Sequence, residues 1–144
     1  MAKKSVASKS AGKKKLKIAV IGVGGMGTGH CTSITTKVPE MELVAVVDGS
    51  AARAEEIGKK FNVPFFTSHK DLIKAGIAQA VMIATPHPLH APVAIDCMKA
   101  KLHVISEKPL SETVSTADKM IKAAKSNKVK FGVMFQRRFE PAIA

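Results

Sequence analysis

The chain has 144 residues with a 46% share of apolar residues, which suits one domain with a real core and excludes disorder along its whole length. No apolar run reaches the roughly 20 residues that span a bilayer. The chain has only two cysteines, Cys31 and Cys97, and they form no metal-type cluster, so a disulfide scaffold or a zinc module is not expected. The net charge of +12 is unevenly distributed along the chain. Residues 1–17 contain seven of the 23 lysines and arginines and no acidic residue, so the rest of the chain has 16 basic and 11 acidic side chains.

The first 15 residues, MAKKSVASKSAGKKK, cannot form a packed core, so the sequence predicts a disordered, lysine-rich tail over residues 1–15. A solubilising extension is the favoured interpretation, and an electrostatic arm for nucleic acid is the alternative. Nucleic acid is not an expected partner, because short lysine runs are weak motifs and the chain lacks Trp and Tyr. The basic start resembles a secretory signal, but no clean cleavage pattern follows it, so we expect a cytoplasmic protein with no membrane partner.

From Leu16 onward, short apolar runs alternate with stretches of helical spacing. The runs are typical of strands buried on both faces, and they cover residues 16–22, 42–48, 64–67, 79–85, 101–107 and 128–135. Helical spacing occurs at residues 50–61, 68–76, 88–100 and 111–126. The alternation predicts an α/β fold, a doubly wound parallel sheet (Rossmann) of five or six strands over residues 16–136.

Local signals predict where two of these helices begin and end. Ser68 is expected to begin one helix and Gly76 to end it, and Ser111 is expected to cap the last one. The spacing of the last helix predicts one apolar face, formed by Val114, Ala117, Ile121 and Ala124.

A glycine-rich turn, Gly22-Val23-Gly24-Gly25-Met26-Gly27, follows the first strand and precedes a helical pattern. Gly22 allows a sharp turn, Gly24 leaves room for a diphosphate, and Gly27 lets the helix pack close to the strand. The free amides and dipole at the helix start attract phosphate charge. The whole turn, with Gly25 and Met26, is therefore predicted to bind a dinucleotide, although the Met26 side chain itself is expected to pack against the protein.

Asp48 ends the second strand, 21 residues after Gly27, where a carboxylate can accept the ribose hydroxyls of an adenosine. A 2′-phosphate about 4 Å from that carboxylate would be repelled by about 4 kcal/mol at an effective dielectric near 20, which favours NAD. Arg53 lies five residues later and could offset part of this repulsion, so NADP is the alternative cofactor.

Two later segments make the predicted class of dinucleotide-binding protein more specific. They follow the fourth and fifth strands and read Ala84-Thr85-Pro86-His87-Pro88-Leu89-His90 and Ser106-Glu107-Lys108-Pro109-Leu110. With the glycine turn and Asp48, they resemble the glucose–fructose oxidoreductase, inositol dehydrogenase and rhizopine-catabolism family (Gfo/Idh/MocA). The resemblance covers residues 16 to about 141.

The resemblance implies an NAD(P)-dependent oxidoreductase that moves hydride between the nicotinamide and a sugar, cyclitol or related polyol. It implies that Thr85, Pro86 and His90 line the cofactor cleft. It also places Glu107 and Lys108 near the nicotinamide and the reacting carbon, with Lys108 as proton donor or hydroxyl-orienting group.

Members of this family also have a second α/β domain that forms the substrate floor. Residues 137–144 are expected to be the start of that domain, so the chain is expected to lack the substrate half and to be inactive alone. The alternative is a truncated dinucleotide-binding module without turnover. The last strand would then expose apolar surface, which predicts association with another chain, such as a homo-oligomer, or poor solubility.

The remaining candidate residues have structural interpretations. We interpret His30, His69 and His103 as structural or surface residues, and His87 remains open. The cysteines are expected to be small buried fillers. No pair of histidines shows metal-ligand spacing with a third acid, so we expect no metal site.

Overall fold

A computed structural model describes residues 14–134. Within that range the chain alternates strands and helices, as the sequence predicts. The strands are β1 (Leu16–Ile21), β2 (Met41–Val47), β3 (Phe65–Phe66), β4 (Ala80–Ile83), β5 (His103–Glu107) and β6 (Phe131–Met134). The helices are α1 (Gly25–Lys37), α2 (Ala51–Phe61), α3 (His69–Ala75), α4 (His90–Lys99) and α5 (Val114–Asn127), with a 3₁₀ turn at His87–Leu89 before α4.

The strands form one parallel sheet in the order β3-β2-β1-β4-β5-β6. The chain runs outward from β1 to β3 and then returns to place β4 on the other side of β1. This reversal opens a crevice beyond the carboxyl ends of β1 and β4, which is where open α/β sheets bind ligands. The predicted doubly wound α/β fold is confirmed.

The core lies on both faces of this sheet because alternate residues of each strand point to opposite sides. Ile18 and Val20 of β1 pack towards α1 and α2, in a cluster with Cys31, Ile34 and Ile57. Ala19 and Ile21 pack towards the other three helices, in a cluster with Leu72, Met98 and Met120. Both clusters hold the central strands rigidly, which fixes the crevice between their ends.

The local signals for α3 are confirmed. The Ser68 hydroxyl caps the helix by accepting a hydrogen bond from the Lys70 N–H. Gly76 ends it in the left-handed region, with φ of +64°. Both observations agree with the roles that serine and glycine usually have at helix ends.

The predicted start of α5 is wrong by two residues. Thr113 caps the helix by accepting from the Thr116 N–H at 3.1 Å. The Ser111 hydroxyl instead donates to the Thr113 carbonyl at 2.6 Å. Serine and threonine compete for the same capping role, and the residue directly before the first helical turn fills it.

The predicted face of α5 is also only partly right. Val114 is 79% exposed and Ile121 is 41% exposed, whereas Met120 is fully buried. Ala124 is buried and Ala117 is half-buried. The inward face is therefore rotated by about one residue, and it places Met120 in the core cluster that contains Leu72 and Met98.

Cys31 and Cys97 are buried fillers, as predicted, with fully buried side chains. Burial raises the pKa of the Cys31 thiol to about 11 and that of Cys97 to about 12. Residues 14–134 contain no helix with the length and hydropathy that a bilayer crossing requires. The predicted tail falls mostly on residues outside this range, as do residues 137–144.

Candidate functional site

Gly22 joins β1 to the turn and brings the loops after β1 and β4 into contact. Its φ is +90°, and a Cβ atom there would lie 2.7 Å from the carbonyl carbon of Ala84 and 2.8 Å from the Thr85 nitrogen. A side chain would therefore be strained and would also clash with backbone. Only glycine closes the crevice this tightly.

Gly27 and Gly24 have different surroundings. A Cβ at Gly27 would lie 1.7 Å from the Gly22 carbonyl oxygen, so this glycine lets α1 pack on the turn. A Cβ at Gly24 or Gly25 would meet no protein atom within 4 Å. Space above Gly24 and Gly25 is therefore open to a ligand, as the predicted roles of these glycines require.

The start of α1 is suited to an anion. Its N-cap is Gly24, which has no side chain to accept a hydrogen bond, and its first turn contains no acidic residue. The partial positive charge of the helix end is thus not neutralised by a carboxylate of that turn. A diphosphate fits this position both sterically and electrostatically.

Asp48 lies just beyond β2 and is already bonded to the backbone around it. Its Oδ2 accepts from the Val23 N–H at 3.0 Å, and its Oδ1 accepts from the Ser50 N–H at 2.9 Å. These two bonds fix the carboxylate beside the glycine turn. Since an ionised carboxylate has about four acceptor positions, it can still accept ribose hydroxyls.

The Arg53 guanidinium lies over the same turn. Its Nε donates to the Val23 carbonyl at 2.7 Å, and a terminal nitrogen donates to the Thr28 hydroxyl at 3.2 Å. Another terminal nitrogen pairs with Glu56 at 3.2 Å. The guanidinium is thus anchored to the turn, so Arg53 would have to give up these bonds to reach a 2′-phosphate.

A cavity of about 590 Å³ opens on the other side of the turn. It is lined by Met26, Ala84, Thr85, His87, His90, Glu107, Lys108 and Pro109. Met26 is 51% exposed, so its side chain packs only partly against the protein. The Thr85 hydroxyl oxygen is buried and has no hydrogen-bond partner among the described residues. Such an atom normally has a partner, so this hydroxyl is available to a polar group of a bound molecule.

His90, which begins α4, is almost fully buried and links the two loops of the cavity. Its Nε2 lies 2.8 Å from the Thr85 carbonyl and its Nδ1 lies 3.0 Å from the Pro109 carbonyl. Both are acceptors; neutral imidazole supplies one N–H and imidazolium supplies both. The ring nitrogens therefore face the backbone, and any contact of His90 with a ligand in the cavity involves the rest of the ring.

Glu107, at the end of β5, contacts His30 of α1: the Glu107 Oε1 and His30 Nε2 atoms form a close hydrogen-bonded pair. The His30 side chain is 12% exposed and the Glu107 side chain 8%. The next residue, Lys108, is exposed, and its peptide bond to Pro109 is cis. Among the described residues no ion pair joins Lys108 to Glu107.

The structure thus gathers the candidate residues into two groups on either side of the glycine turn. Asp48 and Arg53 lie on one side, and Thr85, Glu107 and Lys108 lie on the other. Pro86 is exposed before the 3₁₀ turn and does not line the cavity. Within residues 14–134, no three His, Cys, Asp or Glu side chains form a group that could hold a metal ion.

Sequence reasoning missed His30, which it placed among structural or surface residues. His30 lies three residues after Gly27, on the side of α1 that faces the crevice. That helical spacing from an obligatory glycine is the signal that could have found it. His69 and His103 are structural, as interpreted: His69 bonds Asp96 at 2.8 Å, and His103 accepts from the Lys130 N–H at 3.0 Å.

Comparison with known families agrees with this geometry. The model of an oxidoreductase family with an NAD-binding Rossmann fold, GFO_IDH_MocA, matches residues 16–135. The chain belongs to this family. The resemblance seen in the sequence is therefore confirmed, and the domain is the NAD-binding Rossmann domain of that oxidoreductase family.

Individual members of the family are similar over most of this chain. An inositol 2-dehydrogenase of Rubrobacter xylanophilus is 35% identical over 133 residues, which are 89% of this chain and 37% of the relative. One from Rhodococcus erythropolis is 39% identical over 131 residues, or 87% of this chain and 37% of the relative. The chain thus spans well under half the length of the curated relatives it matches.

Solved structures give the same result. The scyllo-inositol dehydrogenase from Lactobacillus casei, with bound NAD(H) and scyllo-inositol, aligns with a TM-score of 0.83 and 27% identity, over 90% of this chain and 38% of that one. The WlbA dehydrogenase from Bordetella pertussis, in complex with NADH and UDP-GlcNAcA, aligns with a TM-score of 0.83 and 28% identity. The alignment covers 87% of this chain and 39% of that one. The shared part is the domain that carries the glycine turn.

Proposed function

We propose that this chain binds NAD for an oxidoreductase that moves hydride between the nicotinamide and the CH–OH carbon of a sugar, cyclitol or related polyol. The observation that carries the proposal is the convergence of the glycine turn, Asp48 and the Thr85–Glu107–Lys108 cavity on one crevice. Similarity to inositol 2-dehydrogenases supports the polyol class of substrate.

The first group of residues holds the adenosine end of the dinucleotide. The start of α1, at Gly24 and Gly25, receives the diphosphate. Asp48 accepts the ribose hydroxyls, and its charge disfavours a 2′-phosphate. Since Arg53 is anchored to the turn, it does little to offset that repulsion, which supports NAD over NADP.

The second group holds the nicotinamide end and the reacting carbon. The Thr85 hydroxyl supplies a hydrogen bond to the bound cofactor, and Pro86 and His90 shape the loop that carries it. A bound NAD would supply the acceptor for the hydride of the alcohol carbon. The amine of Lys108 takes the proton of the same hydroxyl group, returns it in the reverse direction, and orients the hydroxyl in both.

Two wider expectations belong to this proposal. We place the protein in the cytoplasm.

We also expect association with another chain, such as a second copy, at the sheet edge formed by β6. Among the strands of residues 14–134, this strand pairs with β5 alone, and its Phe131, Val133 and Met134 side chains are only half-buried.

The proposal predicts that the 144-residue chain binds NAD but shows negligible dehydrogenase turnover. The cavity at Lys108 is open, and the chain spans well under half of its relatives' length. Calorimetric titration with NAD and NADP, beside a turnover assay with a panel of polyols, tests this. Binding without turnover supports the proposal, and turnover by the pure chain would contradict the expected need for further residues. Absence of NAD binding would contradict the proposal itself.

Asp48→Ala is expected to weaken NAD binding by about tenfold or more, which corresponds to about 1.4 kcal/mol, and to weaken NADP binding less. The substitution removes the acceptor of the ribose hydroxyls, but it also removes the charge that repels a 2′-phosphate. Calorimetry with both dinucleotides measures the two losses. Asp118→Ala, on the exposed side of α5, is the matched control that also removes one carboxylate. Equal losses for NAD and NADP would refute the specificity role of Asp48.

A further inference from the structure

A buried carboxylate lies in the half of the crevice that the proposed function assigns to the nicotinamide. Glu107 lines the cavity with Thr85 and Lys108, yet the residue is only 6% exposed. Its partner in the described part of the chain is His30, which reaches it from α1. The role of Lys108 as proton carrier leaves this pair without an assigned task.

We propose that the Glu107 carboxylate, held in place by His30, shifts the binding preference of the cleft towards the oxidised dinucleotide. This inference rests on the proposed function, because it requires the nicotinamide to occupy the cavity beside Glu107. It concerns the relative affinity for the two redox forms, which this chain can show without a substrate.

The charges in the cavity are the physical basis. The nicotinamide ring carries a positive charge when oxidised and none when reduced, so a nearby negative charge stabilises the oxidised form selectively. The Glu107 carboxylate supplies this negative charge, and its contact with His30 fixes its position beside the cavity. Burial leaves that charge weakly screened.

Other ionisable groups in the same cavity have weaker or indirect effects. Once it has taken a proton, the Lys108 side chain carries a positive charge, but it is exposed, so water and salt screen that charge. His87 is exposed, and the His90 nitrogens face backbone carbonyls. Among the described residues that line this cavity, Glu107 is therefore the buried carboxylate.

His30 acts as a positioning residue in this arrangement. A buried carboxylate without a donor is costly, so without His30 the Glu107 side chain would turn to another donor such as Lys108. The bond from His30 keeps the Glu107 carboxylate directed towards α1. Because α1 also begins at the diphosphate-binding turn, the pair has a fixed relation to the bound dinucleotide.

The first test compares dissociation constants of oxidised NAD and NADH for the full chain, measured by calorimetry or by NADH fluorescence. In Glu107→Gln, the ratio of the NADH constant to the NAD constant is expected to fall by about tenfold, since one unit of charge is lost beside the ring. Glu42→Gln removes the same charge from an exposed position on β2 and should leave the ratio unchanged.

The second test concerns His30. His30→Ala should lower the ratio in the same direction as Glu107→Gln, because Glu107 loses its donor. His30→Gln should restore the ratio, since its side-chain amide N–H can donate to the same oxygen. A purely structural role would weaken both redox forms equally and leave the ratio unchanged.

Each outcome separates the two proposals. If the unsubstituted chain binds neither redox form, the proposed function fails. If it binds both and Glu107→Gln leaves the ratio unchanged, this inference is overturned while the proposed function stands. A shift with Glu107→Gln but none with His30→Ala would remove the positioning role. Should Glu107→Gln not fold, His30→Ala and its recovery by His30→Gln decide the question.

Discussion

Replacing Gly27 by alanine is expected to lower the free energy of unfolding by about 3 kcal/mol or more and to abolish NAD binding. The added Cβ would lie 1.7 Å from the Gly22 carbonyl oxygen, a distance that no side-chain rotation can relieve because both atoms belong to fixed positions of the chain. Either α1 must move away from β1 or the turn must open. Both movements separate the helix from the core cluster that contains Cys31 and Ile34.

Urea unfolding followed by circular dichroism measures the loss, and Gly29→Ala provides the matched control. Gly29 is two residues further along α1, it is exposed, and a Cβ there meets nothing within 4 Å. Alanine has the higher helix propensity, so this variant is expected to gain about 0.5–1 kcal/mol in stability. If Gly27→Ala were as stable as Gly29→Ala, the close approach of α1 to the turn would be disproved.

The sheet could be predicted from the sequence because buried parallel strands have a simple sequence pattern. Successive apolar residues in 16–22 and 79–85 predict strands covered on both faces, and β1 and β4 lie there. Even the weak run at 64–67 corresponds to a strand, although β3 has only two residues. Alternation with helices then determines a parallel topology with few alternatives.

Which face of a helix is buried was harder to predict from the sequence, and α5 shows why. Val114 and Ile121 have apolar side chains at helical spacing, but the core takes Met120 instead. Apolar spacing identifies a helix, whereas the side that turns inward depends on the elements it packs against. For α5 that neighbour is α4, which the local sequence does not contain.

In the site, too, the residues close together in sequence could be predicted, whereas a contact between distant residues could not. The turn from Gly22 to Gly27 and the acid at Asp48 form a pattern within 27 residues, and the structure brings them together through the Asp48–Val23 hydrogen bond. The pairing of His30 with Glu107 joins residues 77 positions apart. No spacing rule links them, so only the folded arrangement of α1 and β5 could reveal the contact.

Gly24→Ala is expected to weaken NAD binding by at least about tenfold, or about 1.4 kcal/mol, while leaving the stability of the fold nearly unchanged. Gly24 has a φ of −68°, which alanine adopts readily, and its added Cβ would meet no protein atom within 4 Å. The methyl group would instead occupy the space that the diphosphate needs beside the α1 amides.

Calorimetric titration together with urea unfolding separates ligand binding from folding in this variant. Gly29→Ala serves again as control, because it adds the same methyl group to α1 away from the turn and should bind NAD normally. Gly27→Ala should lose both properties, whereas Gly24→Ala should lose only binding. If Gly24→Ala bound NAD as tightly as the unsubstituted chain, the diphosphate could not lie against this turn. The cofactor would then have to approach the crevice from another direction.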